Sequence, residues 1–145
     1  YETFLLIVKG DITPKKPREK MPQRIQALAV GATPTGPFDV LPHPAIDDID
    51  TEDASLWYDD TRRRYYAIFH AHTHIGLITS EDGVQWENAS HPVVTEKRLR
   101  CADGSSIEPR RLERPSLFLE NDRPRLLCLG AARGDDWRCL VVPLA

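Results

Sequence analysis

The 145-residue chain is short of the features that mark several functional classes. It has three cysteines, an odd number with no CxxC spacing, which signals neither a disulfide framework nor a zinc site. The cysteines read as thiols: Cys128 in an apolar run as core, Cys101 after "RLR" as an exposed residue. No uninterrupted apolar run exceeds the five residues 4–8, "FLLIV", whereas a membrane helix needs roughly 20. A soluble protein without a membrane partner is therefore expected. The net charge is only -3, and Lys and Arg are interspersed with acids, so there is no electrostatic footprint for nucleic acid. The single basic cluster, "KKPREK" at 15–20, contains a glutamate and a proline and reads as a solvated loop. No signal peptide is recognisable and nothing assigns a compartment. The chain opens on Tyr1, which suggests an N-terminal portion removed or never included.

The chain does contain an internal repeat. At an offset of 61 residues, "EDASLWYDDTRRRYYAI" falls on "ERPSLFLENDRPRLLCL". This places Glu52 on Glu113, Ser55 on Ser116, Leu56 on Leu117, Trp57 on Phe118 and Arg62 on Arg123. The same offset puts "FLLIVKG" onto "YYAIFHA". Repetition at a fixed period indicates an architecture of stacked units.

Each unit reads as short β-strands. "ASLWY" or "PSLFL" comes first, then a polar turn, then "YYAIF" or "RLLCL", and a third strand is "GLITS", "ALAVGA" or "CLVVPL". These runs are rich in aromatic and branched residues and bounded by turn formers, which favours strand over helix. Asp82-Gly83 signals a two-residue hairpin, after which Trp86 begins a fourth, outer strand, as Phe38 does in the first unit. Twelve prolines and eight glycines leave no stretch long enough for a helix. Four antiparallel strands per unit form the pattern of a β-propeller blade. Residues 1–50 make an incomplete blade lacking its innermost strand, 51–111 a complete one, and 112–145 a blade lacking its outermost strand. The period exceeds the roughly 40–50 residues of common blades, with the excess in 91–111. The expected fold is all-β, one partial propeller domain whose open edges call for pairing, for instance by a second copy in a homodimer.

The phrases "FLLIVKGD", "ALAVGATPTGPF", "EDASLWYDD", "SEDGVQW" and "ERPSLFLEND" together resemble the five-bladed propeller glycoside hydrolases, in particular glycoside hydrolase family 43 and its relatives. The resemblance spans most of the chain. It implies a carbohydrate partner, hydrolysis of a glycosidic bond with inversion, and no cofactor. In that family three carboxylates converge on the propeller axis from the starts of innermost strands. By motif, Asp53 matches the aspartate that orients the sugar and raises the pKa of the acid. Glu113, in "ERP", matches the general acid. The first-blade aspartate has no counterpart, and Ala54 replaces the motif proline. The other reading is therefore a non-catalytic carbohydrate-binding or interaction module that kept the scaffold. Glycosidic cleavage needs a carboxylic acid still protonated near neutral pH, which explains why an acidic pair should precede an apolar strand.

Three further groups are candidates for the same pocket. Glu52 and Arg114 flank the two motif acids, with Arg114 a possible ion-pair partner of the glutamates. "HAHTHIG" spaces His70, His72 and His74 by two, which on a continuous strand would align three rings on one face and could bind metal. The phrase spans a turn between strands, so alternation breaks after His70 and the histidines read as pocket lining, with no metal site. Trp57 and Phe118 read as packing between blades, and Trp86 and Trp137 as blade core.

Overall fold

The computed structural model describes residues 3–12 and 23–144, so "KKPREK" lies outside the described residues. Among these the fold is all-β, without a helix. Strands β1 (Phe4–Ile12), β2 (Gln23–Gly31) and β3 (Phe38–Val40) form one antiparallel sheet. Strands β4 (Thr51–Asp59), β5 (Arg64–Ala71), β6 (His74–Ser80) and β7 (Glu87–Glu96) form a second, in that order. A two-stranded hairpin, β8 (Leu99–Arg100) and β9 (Ser106–Ile107), interrupts the segment that carries the excess length. The third sheet is β10 (Arg111–Glu120), β11 (Arg123–Arg133) and β12 (Asp136–Pro143). No sheet closes on itself; each runs as a meander of neighbouring strands.

The three sheets pack in series. Strand β4 lies against β1 and β2, and β10 lies against β4, β5 and β6. The alternation of β5 explains why. Ala67, Phe69 and Ala71 join Ile46 and Ile78 in a core shared with Ile7 of the first sheet. Ile68, on the opposite face, joins Ile75, Leu112, Leu127 and Leu129 in a core shared with the third sheet. A strand covered on both faces must be apolar at odd and even positions alike, which is what "YYAIF" provides.

The offset of 61 does not survive the first turn of the repeat. In the second sheet Leu56 pairs with Ala67 across residues 60–63; in the third, Leu117 pairs with Leu127 across Asn121-Asp122. Both turn residues have positive φ, 49° and 59°, as a tight two-residue hairpin of the primed kind requires. The shorter turn and a bulge after Phe118 slip β11 by one residue, which exchanges its two faces. Cys128 therefore lies opposite Leu127 and Leu129 and is half-buried, not core; Cys101 is also half-buried. Trp57 packs into the core between the second and third sheets, but its counterpart Phe118 is 55% exposed. Trp137 is 43% exposed on the same open side, contrary to the expected blade core, whereas Trp86 packs as expected. Asp82-Gly83 lies in a six-residue loop, not a two-residue hairpin, because the carboxylate of Asp82 and the hydroxyl of Ser80 cap the backbone N–H groups of Gly83, Val84 and Gln85.

Phe69 needs a glycine opposite it. Its ring, 3% exposed, lies over Gly76, where an added Cβ would come within 2.2 Å of Cζ. Gly76→Ala should lower stability by about 1–3 kcal/mol, read from the urea midpoint. Phe69→Leu in the same background should recover part of the loss, because it removes the ring the methyl meets.

Candidate functional site

The first strands of the second and third sheets carry the same irregularity at the same place. Glu52 pairs with His70 and Ser55 with Ile68, so Asp53 and Ala54 together oppose Phe69. Glu113 pairs with Gly130 and Ser116 with Cys128, so Arg114 and Pro115 oppose Leu129. Each is a bulge of two residues against one, and each holds a non-glycine residue in the left-handed region, Asp53 at φ 54° and Arg114 at φ 53°. Such conformations persist only when the surrounding structure imposes them, and they concentrate at functional sites. The bulges set Glu52, Asp53, Glu113 and Arg114 at the ends of the strands where neighbouring sheets meet.

Between the bulges lies His70. It is 3% exposed, on the same face of β5 as Ile68, toward β10. Its Nδ1 is buried without a hydrogen-bond partner among the described residues. Burial pushes its pKa below the usual histidine value, against the opposing pull of the Glu113 and Asp53 carboxylates. Glu113 is 8% exposed, and its Oε1 accepts a hydrogen bond from Nε of Arg111 at 2.6 Å. Arg114 is not the partner of either glutamate; its guanidinium lies 5.8 Å from the centre of the Trp137 ring, with that of Arg111 at 5.0 Å. The bulge turns Arg114 outward, while Arg111, two residues before Glu113, reaches it along the strand.

The remaining sequence-identified residues divide between two places. Glu52 and His72 belong to an ion-pair cluster on the first seam. Arg24 donates through its backbone N–H and Nε to Oδ1 of Asp50, both at 2.9 Å, and through Nη2 to Oδ2 at 2.6 Å. It also pairs with Glu52, which Lys9 reaches at 3.2 Å. His72 Nε2 lies 2.6 Å from Asp50 Oδ2 and 2.9 Å from Arg24 Nη2. His74 lies apart, its ring edge-on to Phe69, and shares a cleft with Thr73 and Lys97. The turn at 72–73 sets His74 apart, but the His70 and His72 rings stay neighbours, edge to face with centres 6.2 Å apart. No group of three or more His, Cys, Asp or Glu able to hold a metal occurs among the described residues.

Sequence reasoning missed Lys9, Arg24 and Asp50. Arg24 alternates with Gln26 and Leu28, both buried, so its position in the strand pointed to the face it occupies. Asp50 belongs to the acidic run "DDIDTED" at 47–53, in which nothing local distinguishes the paired aspartate from its solvated neighbours. A separate cleft of about 740 Å³, between the β8–β9 hairpin and strands β11 and β12, is lined by Arg98, Arg133 and Arg138 and contains neither motif acid. Comparison with models of known families and with curated proteins gives no match to this chain.

The hydrogen bonds from Arg24 hold the Asp50 carboxyl well below the usual carboxylate range, with partial burial opposing them. A depressed carboxylate stabilises the fold above its unfolded pKa and loses that contribution as the pH falls. Asp50→Asn should therefore cost roughly 1 kcal/mol at pH 7, after allowance for solvent screening at this partly exposed site. The difference from the parent protein should shrink below about pH 4, as measured by urea denaturation at a series of pH values.

Proposed function

We propose that the three sheets are consecutive blades of a five-bladed propeller and that the protein acts on a glycan by acid/base hydrolysis of a glycosidic bond. Glu113 is the general acid and Asp53 its tuning partner, with His70 lining the pocket; Glu52 and His72 lie in the ion-pair cluster of the first seam, and His74 and Arg114 lie apart. The observation that carries this reading is the recurrence of the same two-against-one bulge directly after Glu52 and after Glu113, at the starts of the first strands of adjacent sheets. Sheets in series, each adding its first strand to the seam, suit a radial arrangement, and the strand orders agree with blades that lack an innermost and an outermost strand. Partial burial and a neighbouring negative charge favour the protonated form of a carboxylic acid, which a general acid needs. A second carboxylate would activate water on the far side of the sugar, with inversion as the outcome.

One observation favours the alternative, a carbohydrate-binding module without catalysis. Arg111 donates directly to Glu113, and a guanidinium partner favours the ionised carboxylate. Screening on aryl glycosides separates the two readings. Hydrolysis that falls at least about 100-fold in Glu113→Gln supports the acid role, and activity unchanged by that substitution removes Glu113 from the mechanism. Glycan binding with no turnover supports the module.

The partner in this reading, besides the glycan, is a second copy. The open side of the third sheet exposes Phe118 and Val141, at 55% and 54%, where the equivalent side of the second sheet is covered by the next. Light scattering at micromolar concentration should give the mass of a dimer, and a monomeric mass excludes this partner.

A further inference from the structure

The connection from the first sheet to the second, residues 41–50, has no hairpin of its own, whereas that from the second to the third, 97–110, folds into β8 and β9. This is the part that lengthens the repeat, and insertions in a repeat architecture gather on one face, often the binding face. The hairpin is built to hold its shape. Its turn is closed by a hydrogen bond from the N–H of Cys101 to the carbonyl of Ser105 at 2.8 Å, and Oδ1 of Asp103 accepts from the backbone N–H and the hydroxyl of Ser105 at 2.9 and 2.6 Å. Nζ of Lys97 reaches the carbonyl of Arg110 at 3.4 Å and ties the two ends together.

The cleft of about 740 Å³ lies between this hairpin and the third sheet. Antiparallel pairing sets Ala131 against Arg138 and Arg133 against Asp136, so with Leu140 these side chains share one face of the sheet. Ala131 and Leu140 belong to the core between the second and third sheets and give the cleft an apolar floor, to which the hairpin adds Ile107. Its walls are charged. Nε of Arg98 lies 3.5 Å from Oε1 of Glu108, and Nε and Nη2 of Arg138 both donate to Oδ2 of Asp136, at 3.0 and 2.9 Å. Each pair leaves N–H groups and a carboxylate oxygen unused, and Arg133 has no acidic partner among the described residues. An apolar floor with a few converging polar groups, at this volume, is the usual form of a small-molecule site.

We propose that this cleft binds a hydroxylated carboxylate, an acidic sugar or an open-chain hydroxy acid, with Arg133 as its anchor. Three guanidiniums against two carboxylates leave one positive charge on the walls, which matches a monoanion and not the dianion of a phosphate. A guanidinium takes a carboxylate through two parallel N–H···O bonds. The unused oxygens of Glu108 and Asp136 call for donors, which hydroxyl groups supply and a plain fatty or aromatic acid lacks. The cleft contains neither Glu113 nor Asp53, so the proposal goes beyond the hydrolase reading and does not rest on it.

The test titrates glucuronate, gluconate, glucose and inorganic phosphate into the protein at low salt, with amide NMR spectra locating the response. Glucuronate should shift the amides of residues 106–108 and 131–133, and Arg133→Ala should weaken its binding at least about tenfold, the loss of a charge-assisted pair. Arg123→Ala, which removes an exposed arginine outside the cleft, should leave the affinity unchanged. A retained thermal transition shows that both variants are folded. Gluconate binding more tightly than glucuronate upholds the site and makes its ligand the open-chain acid. The proposal is overturned by glucose binding as tightly as glucuronate, by phosphate binding more tightly than both acids, by equal effects of the two arginine substitutions, or by no response to either acid at millimolar concentration.

Discussion

Strand β5 is covered on both faces, and most of the structure follows from that constraint. With Ala67, Phe69 and Ala71 committed to one seam and Ile68 and His70 to the other, the strand cannot slip by a single residue without exchanging two cores. Phe69 is too large for its place unless the facing residue on β6 has no side chain, so Gly76 belongs to the same constraint. The polar residue at position 70 is carried into the second seam by the alternation, not by any local preference of histidine. A buried polar ring is costly unless something compensates for it, and Nδ1 of His70, like Nε1 of Trp57, is buried without a protein partner among the described residues.

The bulges complete the placement. A regular strand would send Glu52 and Asp53 to opposite faces and give each sheet one carboxylate at its seam. Two residues set against one change that direction, and a left-handed Asp53 in one sheet matches a left-handed Arg114 in the next. Because the irregularity recurs at equivalent positions, it belongs to the repeating unit itself. The side chains then differentiate the two copies: Glu52 is held by Lys9 and Arg24 on a hydrated rim, and Glu113 by Arg111 in a buried one.

Much of this was legible in the sequence, because period-two alternation and turn chemistry act locally. The strands of all three units and the turn that sets His74 apart follow from runs such as "YYAIF" and punctuation such as "DDTRR" and "TPTGPF". What failed was whatever depended on register across a turn. "DDTRR" and "ENDRP" have the same length in the aligned sequence, yet the second closes in two residues because Asn121 and Asp122 both accept positive φ. That two-residue difference, of which the bulge after Phe118 restores one, moved Cys128, and the third strand beyond it, onto the opposite face. The ion-pair cluster was illegible for another reason: Arg24 and Asp50 are 26 residues apart, and no local rule selects one aspartate from a run of acids.

The register slip also bears on why the site occurs only once. In the third sheet the residue that pairs with Glu113, as His70 pairs with Glu52, is Gly130. An added Cβ there would meet the Trp137 ring at 3.6 Å, so the place that a base occupies in the two earlier sheets is filled by indole. The ring in turn lies beside the guanidiniums of Arg111 and Arg114, and a cation near an aromatic face is held by the ring's quadrupole. Arg111, which donates to Glu113, is thereby held beside the Trp137 ring. Lysine, imidazole and indole succeed one another at this place along the repeat. A repeated backbone with a changing third partner is enough to make the two seams chemically distinct.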